Sequence, residues 1–360
     1  MKTLAVCAAS GARTSLGGTL VETAFLLRTG IAAIAASPLA DADGEQVTMC
    51  FDKAIDPYLV GEERAAELAA PALAEALSQL GEEGESLSLR LLLCLDAPRS
   101  PAVRSERGER GERGEQAAGA VVAQRLHARA RELSPGITLE VCARGSAGAA
   151  FALPQALEAL ASRQMDALVL GGVHTDYDPA TIADLAAQGR LHGPKNLDAV
   201  IPGEAAAFVV LMREDTARRL RLEPAARITG IGSAMARARP DNDESVFDAK
   251  GLTTAVRAAA AELVTEQLRA GWLLTDHTFE SSRILEWQTM ATRAHALFGS
   301  PYHLESPAQR LGHLGAASLP LAIALAAEGW KRGYAPSAIA IALAGSEAGE
   351  RGAIVLVSNV

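Results

Sequence analysis

A repeat inside the chain constrains its fold more than any other feature. Ser146-Ala147-Gly148-Ala149-Ala150-Phe151-Ala152-Leu153-Pro154 opens one alanine-rich helix, and His313-Leu314-Gly315-Ala316-Ala317-Ser318-Leu319-Pro320 opens another. Each is followed by a hydrophobic strand ending in glycine (Leu168 to Gly172; Ile339 to Gly345) and then by one more strand (Ala207 to Met212; Ala353 to Val357). One helix-strand-loop-strand unit thus occurs twice, with a junction near Leu222 to Ala226, and predicts two related halves, residues 1–222 and 223–360. Small residues at both helix starts allow close backbone approach, so the two N-termini are expected to face each other near a pseudo-twofold axis. Ser146 and His313, each two residues before a Gly-Ala-Ala, would then sit together where free amides and positive helix ends favour a developing anion. A plainer role also stands for each, an N-cap serine and a hydrogen-bonded core histidine.

Around this repeat, short hydrophobic runs such as Arg90 to Leu95, Ala167 to Val173 and Arg227 to Ile231 alternate with alanine-rich stretches, the pattern of an α/β chain with a buried, largely parallel sheet. With 360 residues, 49% of them hydrophobic, the chain can bury a large core. A net charge of −9 provides no long-range attraction for nucleic acid or an anionic membrane surface. No apolar run reaches the ~18 residues of a membrane helix. The start, Met1 to Ser10, reads as a buried first strand, because Gly11 to Arg13 cut short the apolar core of a signal peptide. Cys7, Cys50, Cys94 and Cys142 are few and widely spaced, which suits reduced thiols in a cytoplasmic protein. No CxxC or HxxxH spacing occurs, so no zinc site or other cofactor is expected. Ser105 to Gln116, a tandem Gly-Glu-Arg repeat, is expected to be a solvated loop.

Several segments, in order along nearly the whole chain, resemble the β-ketoacyl synthases. These are Gly17 to Ile34 (GGTLVETAFLLRTGIAAI), Ser146 to Gly172 with its Asp166-Ala167-Leu168-Val169-Leu170-Gly171-Gly172 strand, Pro202 to Phe208 (PGEAAAF), and Gly312 to Ala317 (GHLGAA). The resemblance implies the thiolase-like fold, two pseudo-repeated halves in a five-layered α-β-α-β-α arrangement. It also implies an acyltransferase of fatty acid or polyketide biosynthesis that takes an acyl thioester from an acyl carrier protein or coenzyme A. The same resemblance implies a homodimer, or a ketosynthase-type heterodimer, in which edge strands of two subunits join one sheet.

The chain departs from the family where the chemistry should be. Counting back from Gly172 puts Ser146 at the nucleophile position, and Cys142 lies four residues too early. The family's first histidine should follow a strand, read here as Arg283-Ile284-Leu285, so Trp287 or Gln288 stands in its place; His295 and His303 lie outside the motif. Gly345-Ser346-Glu347-Ala348-Gly349 replaces a closing loop that carries a gating phenylalanine, and it lacks the Gly-Lys-Ser/Thr ending of a phosphate loop. Ser146 and His313 remain as candidate catalytic residues, with Glu286 or Glu347 to orient the imidazole. Trp287, Gln288, Gly345 and Ser346 are the candidate substrate contacts, with amides of Ser146 and the Gly345 turn to hold an oxyanion. Arg218, Arg219, Arg221, Arg190 and Lys195 are candidates for docking an acidic carrier. Two functions follow: acyl transfer or hydrolysis at a serine, or a non-catalytic ketosynthase-like dimer partner that shapes a pocket.

Overall fold

The structure, a computed structural model, describes residues 1–97, 119–236 and 249–359; the Gly-Glu-Arg repeat lies outside them. The first half runs β1 (Ala5–Thr14), α1 (Leu20–Arg28), β2 (Ile34–Ala40), β3 (Gln46–Cys50), α2 (Gly61–Ser78), β4 (Leu89–Leu95), α3 (Ala120–Leu133), β5 (Thr138–Ala143), α4 (Gly148–Ala161), β6 (Ala167–Thr175), α5 (Pro179–Ala187), β7 (Glu204–Met212) and α6 (Glu214–Arg219). There follow β8 (Ala226–Met235), α7 (Lys250–Ala259), α8 (Ala261–Thr265), β9 (Ala270–Thr275), α9 (Ser281–Arg293), β10 (Phe298–Glu305), α10 (Ala308–Leu311), α11 (Ser318–Lys331), β11 (Ile339–Gly345) and β12 (Glu350–Ser358).

Ten strands lie in the order β10-β9-β11-β12-β8-β1-β7-β6-β4-β5, and this order is symmetric about its centre. In the first half β5, β4 and β6 run parallel, while β7 and β1 complete the set antiparallel. In the second half β10, β9 and β11 run parallel, while β12 and β8 complete the set antiparallel. β1 and β8 join the halves through a short antiparallel contact, Ala5 to Cys7 against Ile228 to Ala226.

Core composition follows the alternation of side chains along each strand. Leu168 and Leu170 of β6 turn toward α4 and α11, whereas Ala167 and Val169 turn toward α2 and α3. Ile354 and Leu356 of β12 face the same middle layer, whereas Ala353 and Val355 face α7 and α9. The result is the five-layered α-β-α-β-α arrangement. α11 is buried from Ser318 to Trp330, the condition that an all-round apolar helix (SLPLAIALAAEGW) requires.

The segment Arg283-Ile284-Leu285 is not a strand. It lies in α9, which buries Glu286 and Met290 on one side and exposes Leu285 and Gln288 on the other, so a helical period underlies what reads locally as a short hydrophobic run. The strand that precedes α9 in the chain is β9 (Ala270–Thr275).

Candidate active site

Four segments meet beyond the ends of β4 and β6. Asp96 follows β4, His174 lies near the end of β6, Asp176 follows β6, and the loop before α11 brings His313. That loop is held by the His313 amide, which donates to the Ile201 carbonyl at 2.9 Å.

His174 is buried between two acids. Its Nδ1 is 2.5 Å from Asp96 Oδ2, and its Nε2 is 3.0 Å from Asp176 Oδ2. His313 Nδ1 lies 3.2 Å from the same Asp176 oxygen, and the two imidazoles meet edge to face with centroids 4.4 Å apart. Backbone amides complete the cluster: Gly203 donates to Asp176 Oδ2 at 3.2 Å, and Ala316 donates to Asp96 Oδ1 at 3.0 Å. Burial by itself would lower the affinity of His174 for a proton, but the carboxylates of Asp176 and Asp96 outweigh it and push the pKa up to about 10. Burial would raise Asp176, yet the adjacent imidazoles hold it well below the usual carboxylate range. Of the cluster's side chains, Asp96 and His313 are reached by solvent, at 40% and 23% exposure, whereas His174 and Asp176 are buried.

Beside this cluster lies the start of α4. The turn Gly145–Ala147 and the turn Gly315–Ala317 are in contact, and glycine at 145 and 315 leaves room for the Asp96 carboxylate between them. Ser346 ties the β11–β12 loop to the same place: its Oγ donates to the Arg144 carbonyl at 2.5 Å and accepts from the Ala147 amide at 3.0 Å. Ser146 is buried in the first turn, and its hydroxyl makes no hydrogen bond among the described residues, including none with His313.

No family model matches the chain, and no curated protein does. Its shape is nevertheless shared along the full length by solved structures. The ishigamide ketosynthase/chain length factor superposes with a TM-score of 0.77 at 19% identity, covering 99% of both chains. A β-ketoacyl synthase from Burkholderia phymatum STM815 does so at 0.73 and 16% identity, covering 100% of both. A third match, a type II PKS acyl-carrier protein in complex with its ketosynthase bound to the hexaketide, gives 0.78 at 13% identity and 99% coverage of both chains. This is the ketosynthase fold.

The structure also shows where the other candidate site residues lie. The histidine just past the strand of the second half is His277, two residues after β9, not a residue near Trp287. His277 is buried; its Nδ1 lies 2.7 Å from Thr275 Oγ1 and its Nε2 accepts from the Gln309 amide at 3.1 Å. Burial lowers its pKa, with Asp276 opposing, so the ring is held neutral. Trp287 stacks on His277 at 5.8 Å between centroids and covers it, while Gln288 points to solvent from the other side of α9.

The acid that orients His313 is Asp176, not Glu286 or Glu347. Glu286 pairs with Arg351 at 2.6 Å and with Arg283 at 3.3 Å, and Glu347 pairs with Arg190 at 2.7 Å. Arg190 also pairs with Glu280 at 2.9 Å, which ties it to this network and leaves little of it for a carrier. Arg218 and Arg219 are exposed beside Glu214 and Asp166, and Lys195 and Arg221 are exposed as well. The Gly345 amide donates to Asp276 Oδ2 at 2.9 Å and the Ser346 amide to the Glu350 carbonyl at 2.8 Å, so neither is free for an oxyanion.

The internal repeat is real, but its register is shifted. Each half has a three-residue 3-10 turn followed by a 14-residue helix: Gly145–Ala147 then α4, and Gly315–Ala317 then α11. Ser146 is therefore matched by Ala316, and His313 sits two residues ahead of its turn. His295 lies in the short turn before β10 and His303 in β10 itself. Cys142 is at the end of β5, paired in register with Cys94 of β4.

Proposed function

We propose that the protein handles acyl thioesters as a ketosynthase-like acyltransferase of fatty acid or polyketide assembly, with Ser146 as the acyl acceptor. The observation that carries this reading is the contact of the turns 145–147 and 315–317, which puts Ser146 next to the loop of a solvent-reached, acid-aligned histidine. The Ser146 oxygen would attack the thioester carbonyl, the carbon-sulfur bond would break, and His313 would move the serine proton to the departing thiolate. Asp176, on Nδ1 of His313, leaves Nε2 of that ring to do so.

A solved relative in shape is an acyl-carrier protein in complex with its ketosynthase, and a carrier protein is accordingly the thioester donor that best suits this chain. A second reading has its own support. Among the described residues Ser146 has no base within hydrogen-bonding reach, as a non-catalytic partner of a ketosynthase would show. One experiment separates them. The protein is incubated with a panel of acyl thioesters and its intact mass is measured. An acyl adduct that vanishes in Ser146→Ala supports the transferase. Absence of any adduct, together with stable association with an active ketosynthase, supports the partner.

A further inference from the structure

We propose that His174, Asp176 and His313 form a binding site for one divalent transition-metal ion of the zinc type, with Asp96 holding His174 from behind and one position open to solvent. Their three ligand atoms lie within 4.8 Å of one another. Two of the separations, 3.0 Å and 3.2 Å, approach the edge of about 3.3 Å that a tetrahedral ion with ~2.0–2.1 Å bonds sets between its ligands.

The independent pointer is the far nitrogen of His174. This ring is buried, with a relative exposure of 3%, and its Nε2 faces Asp176 Oδ2 at 3.0 Å as a charge pair without an aligned hydrogen bond. With its proton the ring pairs with that carboxylate; without it, the Nε2 lone pair is set against a carboxylate. A cation bound at once by Nε2, the carboxylate and His313 Nδ1 removes the conflict. The back of His174 is already arranged for it. Nδ1 is 2.5 Å from Asp96, whose other oxygen accepts the Ala316 amide, so the ring is held with Nε2 toward the site. Gly203 donates to the Asp176 oxygen and holds that carboxylate in place. His313 alone of the three is reached by solvent, which leaves water or a substrate oxygen as the fourth ligand, the open coordination of a reactive rather than structural ion.

The site stands independently of the acyl-acceptor reading. It also bears on it, because a metal-bound His313 cannot act as the base for Ser146. Loaded protein is therefore expected to acylate Ser146 more slowly than chelator-treated protein.

The test is titration of chelator-treated protein with Co²⁺, followed by displacement with Zn²⁺. Intense visible ligand-field bands should saturate at one ion per chain and disappear on adding one equivalent of Zn²⁺. His174→Gln and Asp176→Asn should weaken binding at least about 100-fold, and Asp96→Asn about 10- to 100-fold through the loss of its support. Cys142→Ser should change nothing, which excludes the neighbouring thiols as the ligands. His313→Ala, at the solvent side, keeps the test usable if the buried variants do not fold. The proposal is overturned if the wild-type protein gives no ligand-field bands, or if folded ligand variants bind Co²⁺ as tightly as the wild type. Neither outcome depends on whether Ser146 is acylated.

Discussion

Gly315 shows how tightly single residues govern the cluster. It has a φ of +43°, and an added Cβ would run into His174 Nδ1 and Asp96 Oδ1. Gly315→Ala is expected to cost about 1–3 kcal/mol from the backbone conformation alone, and more as the buried ring is displaced. Gly145 has a φ of +64°, but its nearest obstacle, Ser346 Oγ at 3.2 Å, is a small side chain at the edge of a loop. Gly145→Ala should therefore lower the urea midpoint less than Gly315→Ala, and the reverse order would remove this account of the turn. At this scale the sequence was only partly legible. Ser146 and His313 stand out because each precedes a Gly-Ala-Ala. His174 and Asp176 do not, because their partners Asp96 and His313 lie 78 and 137 positions away and no local spacing records them. His277 does not stand out because β9, Ala270-Gly271-Trp272-Leu273-Leu274-Thr275, is short and has a single β-branched residue, whereas Arg283-Ile284-Leu285 reads as a hydrophobic run but lies inside a helix.

Elements beneath the site are locked by a charge pair with no access to water. Arg64 of α2 and Glu204 at the start of β7 are both fully buried, with Nε to Oε2 at 2.7 Å and the second guanidinium nitrogen to Oε1 at 2.8 Å. Glu204 also accepts from Thr175 Oγ1 at 2.8 Å and the Asp52 amide at 2.6 Å, and Arg64 lies 3.9 Å over the Tyr177 ring. The network thus fixes the residue before Asp176 and the strand facing it. Breaking one partner leaves a buried charge unpaired, so Arg64→Ala should destabilise the fold by about 3–5 kcal/mol. Replacing both, as Arg64→Met with Glu204→Gln, should restore much of that loss. If the single and double variants melt at the same temperature, the pair is not what holds these elements. The same scale explains why half the repeat could be read. β6 and β11, and β7 and β12, keep hydrophobic runs on both copies because both faces of each are covered. The peripheral strands β5 and β10 are half exposed, so their patterns diverge and only the sheet order shows that they correspond.

For the whole molecule, β5 is the sheet's outermost strand on the first half among the described residues. β5 is the last strand beyond β4, it is six residues long, and it has neither proline nor lysine to deter pairing. Val141, in its middle, is 46% exposed, an apolar side chain on an open row of backbone donors and acceptors. The other end differs: β10 carries Pro301, which cannot donate to a further strand. A second chain added antiparallel at β5 would continue the sheet across a twofold axis and cover Val141, giving each subunit the same contact. A ketosynthase-like heterodimer would use the same edge. Light scattering at micromolar concentration should accordingly report twice the chain mass of 37.4 kDa. Val141→Lys should shift the population toward monomer, because paired strands would bring two like charges together near the axis. It should leave the folded subunit intact, since the side chain is already half in water. A monomeric wild type, or a Val141→Lys protein that stays dimeric, would move the interface away from β5 and leave that edge without a role in assembly.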